Sequence, residues 1–379
     1  MRILHVCDSI IGGTGSYLTE LLTLQAKRYG AENIVLLMPQ EHRKFVERQL
    51  WDSGIRFAYS QRRNRWLGMT SLFLYYLWLL LTFRPNVVHA HSFGAGFVTR
   101  IFRIVRRPVL IFCPHGWSCD MDVSPRLRTI LEAIEKWLAR STDKIVVISR
   151  HELVRAKEMG IALKKLALIP NGISETPPPV PPAEWHDDRL KLLFVGRFDR
   201  QKGLDVLIEA LRPLGDRVAL RIVGAPVLSS PSPRCREDFI QYVGWRDRDG
   251  VASEMKACDA LVVPSRWEGF GLVAVEAMRL GKPVIASAVG GLREILDNGR
   301  FGYLVEPGNA LELRRVLAQL DRPTLERFAE MGKHRFSDRY TAERMAAQID
   351  ILYTDVAPAP AKAIFPALDV NGTKNWLHG

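Results

Sequence analysis

The sequence predicts an α/β protein of two doubly wound parallel sheets. Three observations carry this. Short β-branched runs alternate with stretches of helical period along most of the chain, the pattern of parallel strands covered by helices on both faces. The 379 residues exceed what one ordinary core holds and favour two domains. A segment with five prolines, SETPPPVPPAEWHDD at 174–188, separates two sets of strand-like runs and reads as a stiff linker.

In order, ILHVC, IVLLM, VVHAH, VLIFC, KIVVIS and LALIP are the strands expected before the linker; LKLLFVG, VALRIVG, ALVVPS, PVIAS and GYLVE are those expected after it. The domains are therefore drawn as 1–173 and 189–335. A helix from 336 to 356 follows, and 357–379 reads as a flexible tail. ALVVPS ends at Ser265, the loop RWEGFG comes next, and a helix is expected from Gly271 until Gly281 stops it before Pro283.

The chain carries 53 Lys and Arg against 41 Asp and Glu, a net +12 that biases its surface towards anionic partners. Nucleic acid is a poor fit, because the basic residues are dispersed and lack aromatic platforms for bases. Five cysteines in no zinc-module spacing read as reduced thiols. The N-terminus enters a strand without a signal-like segment, so a cytoplasmic location is expected.

The run WLGMTSLFLYYLWLLLTF, 66–83, has eighteen residues without a charge. It falls where the fold wants a helix on the first sheet, and it is apolar nearly all round. Either it is buried, or its aromatic tips touch a membrane while Arg62, Arg63, Arg65, Arg103, Arg106 and Arg107 attract anionic headgroups.

Glu268 and Glu276, in WEGFGLVAVEAM, are the residues most in need of explanation. Glu268 sits in a loop at the carboxyl end of a parallel strand, where open α/β sheets place ligands. Glu276 lies further down the following helix among apolar residues, a costly setting for a bare carboxylate. The amides near Gly271 open a helix N-terminus suited to phosphate oxygens, and a carboxylate beyond them accepts sugar hydroxyls. A ligand with a phosphate and a polyol fits both.

WEGFGLVAVEAMRLGKPVIASAVGGLREIL resembles the E-x7-E region of the retaining GT-B glycosyltransferases of family 4. LLFVGRFDRQKGLDVLIEAL, YVGWRDRDGVASEMKACDALVVPS and NGRFGYLVEPGN resemble further segments of that family's donor domain, and GGTGSYLTELLTL, NVVHAHS, PHGW and KIVVISRHELVRAKEMGI those of its first domain. The resemblance covers about residues 1–356. It implies a GT-B fold with the C-terminal helix crossing back to the first domain, and transfer of a hexose-type sugar from a UDP- or GDP-linked donor with retention, without a metal. The acceptor implied is a lipid-linked or polysaccharide glycan. Arg197 and Lys202 would hold the donor diphosphate, Glu276 the ribose and Glu268 the sugar side. Backbone at Gly269, Phe270, Gly271 and Leu272 would take phosphate and hydroxyl oxygens, His115 would meet the donor sugar, and Gly12 and Gly13 would let backbone come close. Trp245 and Arg246 are candidates for the base pocket.

Three other readings remain beside it. A nucleotide-sugar epimerase or phosphorylase of the same fold would use the same donor residues, and a degenerate membrane-surface binding protein would not need them. A dinucleotide enzyme fits poorly, since the third glycine counted from Gly13 falls at Leu18. Asp120-Met121-Asp122 matches a metal–nucleotide motif, and His89 and His91 would share one strand face, but neither has partners at ligand spacing, and structural roles are expected for both.

Overall fold

The computed structural model describes residues 1–61, 65–101, 103, 108–226 and 237–356. Of the sequence-based expectations, the tail 357–379, Cys235, Arg62, Arg63, Arg106 and Arg107, and the side chains of Arg65 and Trp66, lie outside the described residues.

The first domain runs β1 Ile3–Cys7, α1 Gly13–Tyr29, β2 Ile34–Pro39, α2 Arg48–Asp52, β3 Arg56–Ser60, α3 Arg65–Thr82, β4 Val87–His91, α4 Ser92–Ile101, β5 Val109–Cys113, α5 Pro125–Leu138, β6 Lys144–Val147, α6 Arg150–Glu158 and β7 Leu166–Leu168. Its seven parallel strands lie in the order β3-β2-β1-β4-β5-β6-β7. The second runs β8 Leu190–Val195, α7 Leu204–Leu211, β9 Val218–Val223, β10 Ile240–Gly244, α8 Arg248–Ala257, β11 Ala260–Val263, α9 Leu272–Arg279, β12 Val284–Ser287, α10 Gly290–Ile295, β13 Tyr303–Val305 and α11 Ala310–Ala318. Its six strands are also parallel, in the order β10-β9-β8-β11-β12-β13. Each sheet reverses direction of growth beside its first strand, so both have a switch point where a crevice opens at the strand carboxyl ends. The central strands are fully buried, which is why they read as continuous apolar runs.

One element departs from the expectation, and for α3 the fully buried alternative falls away. The helix predicted as 336–356 is two: α12 spans Arg322–Arg339 and α13 spans Ala342–Val356. The chain breaks at Tyr340 and Thr341, where Ile173 and Thr341 form a parallel bridge and exchange backbone bonds with their neighbours. Phe336 therefore belongs to the helix that stays on the second domain against α9, and α13 alone returns to α1. Helix α3 is not apolar-buried all round. Leu72, Tyr76, Leu79 and Phe83 pack on the first sheet, while Leu74, Trp78 and Leu81 stand 59%, 53% and 75% exposed and Tyr75 joins them on the outer face. Among the described residues no helix is long and apolar enough to cross a membrane. Arg103 is also not free for headgroups, because its guanidinium bonds Asp143 at 2.7 Å.

The linker residues lie along α8: Lys256 Nζ donates to the carbonyls of Pro178 and Val180 at 3.0 and 2.7 Å, and Ser253 donates to that of Pro181 at 2.8 Å.

Candidate functional site

A cleft of about 1520 Å³ separates the two sheets and is lined from both domains. Gly12, Gly13 and His115 line it on the first domain; Arg197, Lys202, Glu268, Gly269, Phe270, Gly271, Leu272 and Glu276 line it on the second. All eleven residues singled out from the sequence meet there, as do Trp245 and Arg246. Its cations also include Arg248, Arg279, Arg293 and Arg335, so the net positive charge is concentrated where an anionic ligand would enter.

The geometry of the second-domain wall follows from α9. Gly271 caps this helix at φ 102°, a left-handed conformation that a side chain would strain, and an added Cβ would stand 2.6 Å from Leu292. No side chain caps the helix, and its first amides are left for a ligand. One wall of the same space is an ion pair, Lys202 Nζ to Glu268 Oε2 at 2.5 Å. Beside it Arg197 is held by Asp199 at 3.1 Å and donates to Gln201 Oε1 at 2.8 Å. Gln201 in turn donates to the Trp267 carbonyl at 3.1 Å, which ties the Arg197–Lys202 loop to the Glu268 loop.

Glu276 is partly open to the cleft in the second turn of α9. Desolvation raises its pKa to about 7; Arg279 and Arg248 pull it down, while Glu47 and Glu20 push it further up. A carboxyl held near neutrality beside a cleft is a marker of a functional group. Arg248 itself reaches across to the first domain, to Glu20 and to Glu47, the latter at 3.3 Å.

His115 stands two residues past β5 in the left-handed region, φ 53°. Its loop is held by Glu152, whose two oxygens accept from Gly116 N at 2.6 Å and Ile148 N at 2.9 Å. Burial raises the Glu152 carboxyl to about 7 against those two bonds. Ser149 caps α6 by accepting from Glu152 N at 3.2 Å, and its hydroxyl also donates to the Gly269 carbonyl across the cleft at 3.3 Å. Sequence reasoning gave no role to Ser149, Glu152, Glu20, Glu47 or Arg248. The S-x-x-E spacing at 149–152 is a helix-start signature that points to the first two; for the others there is no local signal.

The Asp120-Met121-Asp122 carboxylates already have partners: Asp120 has Arg155 at 2.7 Å and the His151 ring at 3.3 Å, and Asp122 has Arg200 of the other domain. For the strand histidines the expectation needs correcting. β1 brings His5 beside His89 and His91, and ring nitrogens of all three lie within 4.8 Å of one another.

Two facing doubly wound parallel-sheet domains with a cationic cleft between them define the GT-B class. Comparison with known proteins specifies it further. The model of glycosyl transferases group 1 matches residues 181–335 and that of the glycosyl transferase 4-like domain matches 12–172. A D-inositol 3-phosphate glycosyltransferase of Geodermatophilus obscurus is 35% identical over 315 residues, covering 73% of this chain and 68% of the relative. A Klebsiella pneumoniae protein of 41.2 kDa in the cps region is 28% identical over 338 residues, 86% and 90% of the two chains. Among solved structures, Anabaena HepE in complex with UDP and glucose superposes with a TM-score of 0.78 at 20% identity, over 94% of this chain and all (100%) of that one. The chain belongs to the GT-B glycosyltransferases of family 4.

Proposed function

We propose that the protein transfers a hexose-type sugar from a UDP- or GDP-sugar to a lipid-linked or polysaccharide acceptor, with retention and without a metal, in polysaccharide biosynthesis. The observation that carries this is the convergence of Arg197, Lys202, the open N-terminus of α9, Glu268, Glu276 and His115 on one cleft. The similarity to a protein in a cps region and to a structure holding UDP and glucose supports the same reading.

In this reading Glu276 accepts the ribose hydroxyls, and Arg197, Lys202 and the α9 amides hold the diphosphate. As the bond from the anomeric carbon to the phosphate oxygen breaks, those cations and dipoles stabilise the charge that grows on the leaving group. The bond to the acceptor oxygen forms on the same face, and the acceptor's proton passes to the departing phosphate. Lys202 and Glu268, paired to each other, bridge diphosphate and sugar. The seam between the domains excludes water that would otherwise hydrolyse the donor.

The protein would work at the cytoplasmic face of a membrane. The exposed row Leu74, Tyr75, Trp78 and Leu81 on α3 lays apolar and aromatic tips on the bilayer interface.

A thermal-shift series with UDP, GDP, ADP, dTDP and their sugars tests the donor class, since a ligand bound only by the native state raises the midpoint. One nucleoside diphosphate should stand out, and activity should survive EDTA. No shift with any of them would sink the proposal, and loss of activity in EDTA would sink its metal-free step.

A further inference from the structure

Behind His115 stands a buried file of imidazoles. His115 Nε2 lies 3.1 Å from His91 Nδ1, His91 Nε2 lies 3.0 Å from His5 Nδ1, and His5 Nε2 lies 2.9 Å from Gln25 Oε1. Strand register brings the rings together: β1 sets Cys7 beside His91 and His5 beside His89, and His89 and His91 share one face of β4. His5, His89, His91 and Gln25 are buried, so no bulk water interrupts the file.

A neutral imidazole has one N–H and one lone pair, so each ring in such a file takes its tautomer from its neighbour. Gln25 fixes the end. It presents its carbonyl oxygen to His5, and its amide nitrogen faces the Tyr353 hydroxyl without reaching hydrogen-bond geometry. An oxygen of this kind only accepts. His5 must therefore donate from Nε2 and accept at Nδ1; His91 must donate from Nε2 to His5 and accept at Nδ1. His115 then donates from Nε2, and its Nδ1, which has no partner among the described residues, keeps the lone pair.

We propose that Gln25, acting through His5 and His91, is a positioning residue that fixes His115 as the Nε2–H tautomer, so that the ring offers the cleft a hydrogen-bond acceptor and not a donor. The ligand group this suits is a sugar hydroxyl, which rests on the reading of the cleft as a nucleotide-sugar site. Burial supports the arrangement by holding the rings neutral: His115 falls to about 3, His5 to about 4, and His89 and His91 are lowered as well. No ring in the file becomes a cation, which would donate from both nitrogens and erase the polarity.

The competing use of the same rings is a metal. His89 donates or accepts at Nδ1 with Tyr353 at 2.7 Å, and its Nε2 has no partner. With His5 and His91 it has the spacing of a three-histidine site. The proton shared between His5 Nδ1 and His91 Nε2 occupies the lone pairs that an ion would need, so file and metal are mutually exclusive.

The test is nitrogen NMR of protein labelled with 15N in its histidine rings, where two-bond 1H–15N correlations tell the tautomers apart and His115→Asn identifies the relevant signals. The wild-type spectrum should show His115 as Nε2–H. Gln25→Glu keeps an oxygen acceptor and should preserve that tautomer, whereas Gln25→Met, of similar length without the acceptor, should let Nδ1–H appear. With Gln25→Met the KM for the sugar nucleotide should rise about 5-fold, the loss of one neutral hydrogen bond, while affinity for the bare nucleoside diphosphate stays as it was. An Nδ1–H His115 in the wild type, an unchanged tautomer in Gln25→Met, or one equivalent of transition metal in the purified protein would each overturn the inference. The expected spectra without any binding of sugar nucleotides would leave the tautomer relay standing and remove the sugar reading.

Discussion

Glutamine in place of Glu276 separates what the fold gains from this residue and what the ligand gains. Its displacement from 4.5 to about 7 corresponds to roughly 3 kcal/mol at 1.36 kcal/mol per unit. The folded pKa is raised, so its contribution to stability is present below the unfolded value and is lost as pH rises through about 7. At pH 8 the free protein therefore carries an ionised carboxylate that destabilises it, and the amide removes that burden. Because Glu276 keeps some contact with the cleft, solvent screening reduces the expected difference to about 1–3 kcal/mol. Urea unfolding of wild type and Glu276→Gln should agree at about pH 4, below the ordinary carboxyl value of 4.5, and the variant should be the more stable at pH 8. Comparing the two proteins cancels Glu152, which is also raised to about 7. Donor affinity should move oppositely, falling roughly 10- to 100-fold in the variant as a charge-assisted bond to the ribose is lost. In the wild type, affinity should increase as pH passes about 7. A variant no more stable at pH 8, or one that binds donor as before, refutes the reasoning.

Lys202→Met leaves Glu268 without its cation and should lower kcat by roughly 10²- to 10³-fold, read in a steady-state assay; an unchanged kcat would remove Lys202 from the charge-stabilising set. Glu152→Gln turns an NH2 towards one of two backbone N–H groups, so it should lose about 1–3 kcal/mol of stability in denaturant melts and lower kcat by loosening the His115 loop. Equal stability would show that the loop does not depend on this carboxylate. The double change Trp78→Ser and Leu81→Ser should abolish flotation with anionic vesicles and leave stability within about 0.5 kcal/mol; aggregation instead would place the outer face of α3 in a protein contact.

The alternation of strands was legible because parallel strands buried on both faces keep nearly every residue apolar. β3 was not, because RFAYS is a sheet edge with an exposed arginine and only one buried residue. The break between α12 and α13 carries no Gly or Pro; Thr341 leaves the helix to pair with Ile173, a contact 168 residues away that no local propensity encodes. The second-domain wall of the cleft was legible for the opposite reason. Glu268, Gly271 and Glu276 occupy one strand–loop–helix unit, and local rules for helix termini suffice to place them. The other half is assembled from α1, the start of α2, β1, β4, α6 and α8, so Glu20, Glu47, Arg248 and His5 acquire meaning only after the sheets are built.

Burial is the main reason that the Glu276 carboxyl is held near neutrality, and that second half adds to it. Arg248 and Glu276 belong to one domain, Glu20 and Glu47 to the other, and across the cleft the two first-domain carboxylates bind the guanidinium that would otherwise favour an ionised Glu276 more strongly. If the domains part, Arg248 loses those partners and Glu276 regains water. Both changes lower its pKa. The ionised form, the one that the proposed function needs for ribose, is thus favoured when the cleft is open. Closure around an empty site drives the carboxyl towards its protonated form, whereas closure around bound ribose replaces lost water with hydroxyl donors. On the proposed function, a closure of the domains on bound donor would share one free energy with donor binding, and by linkage each would strengthen the other to the same degree.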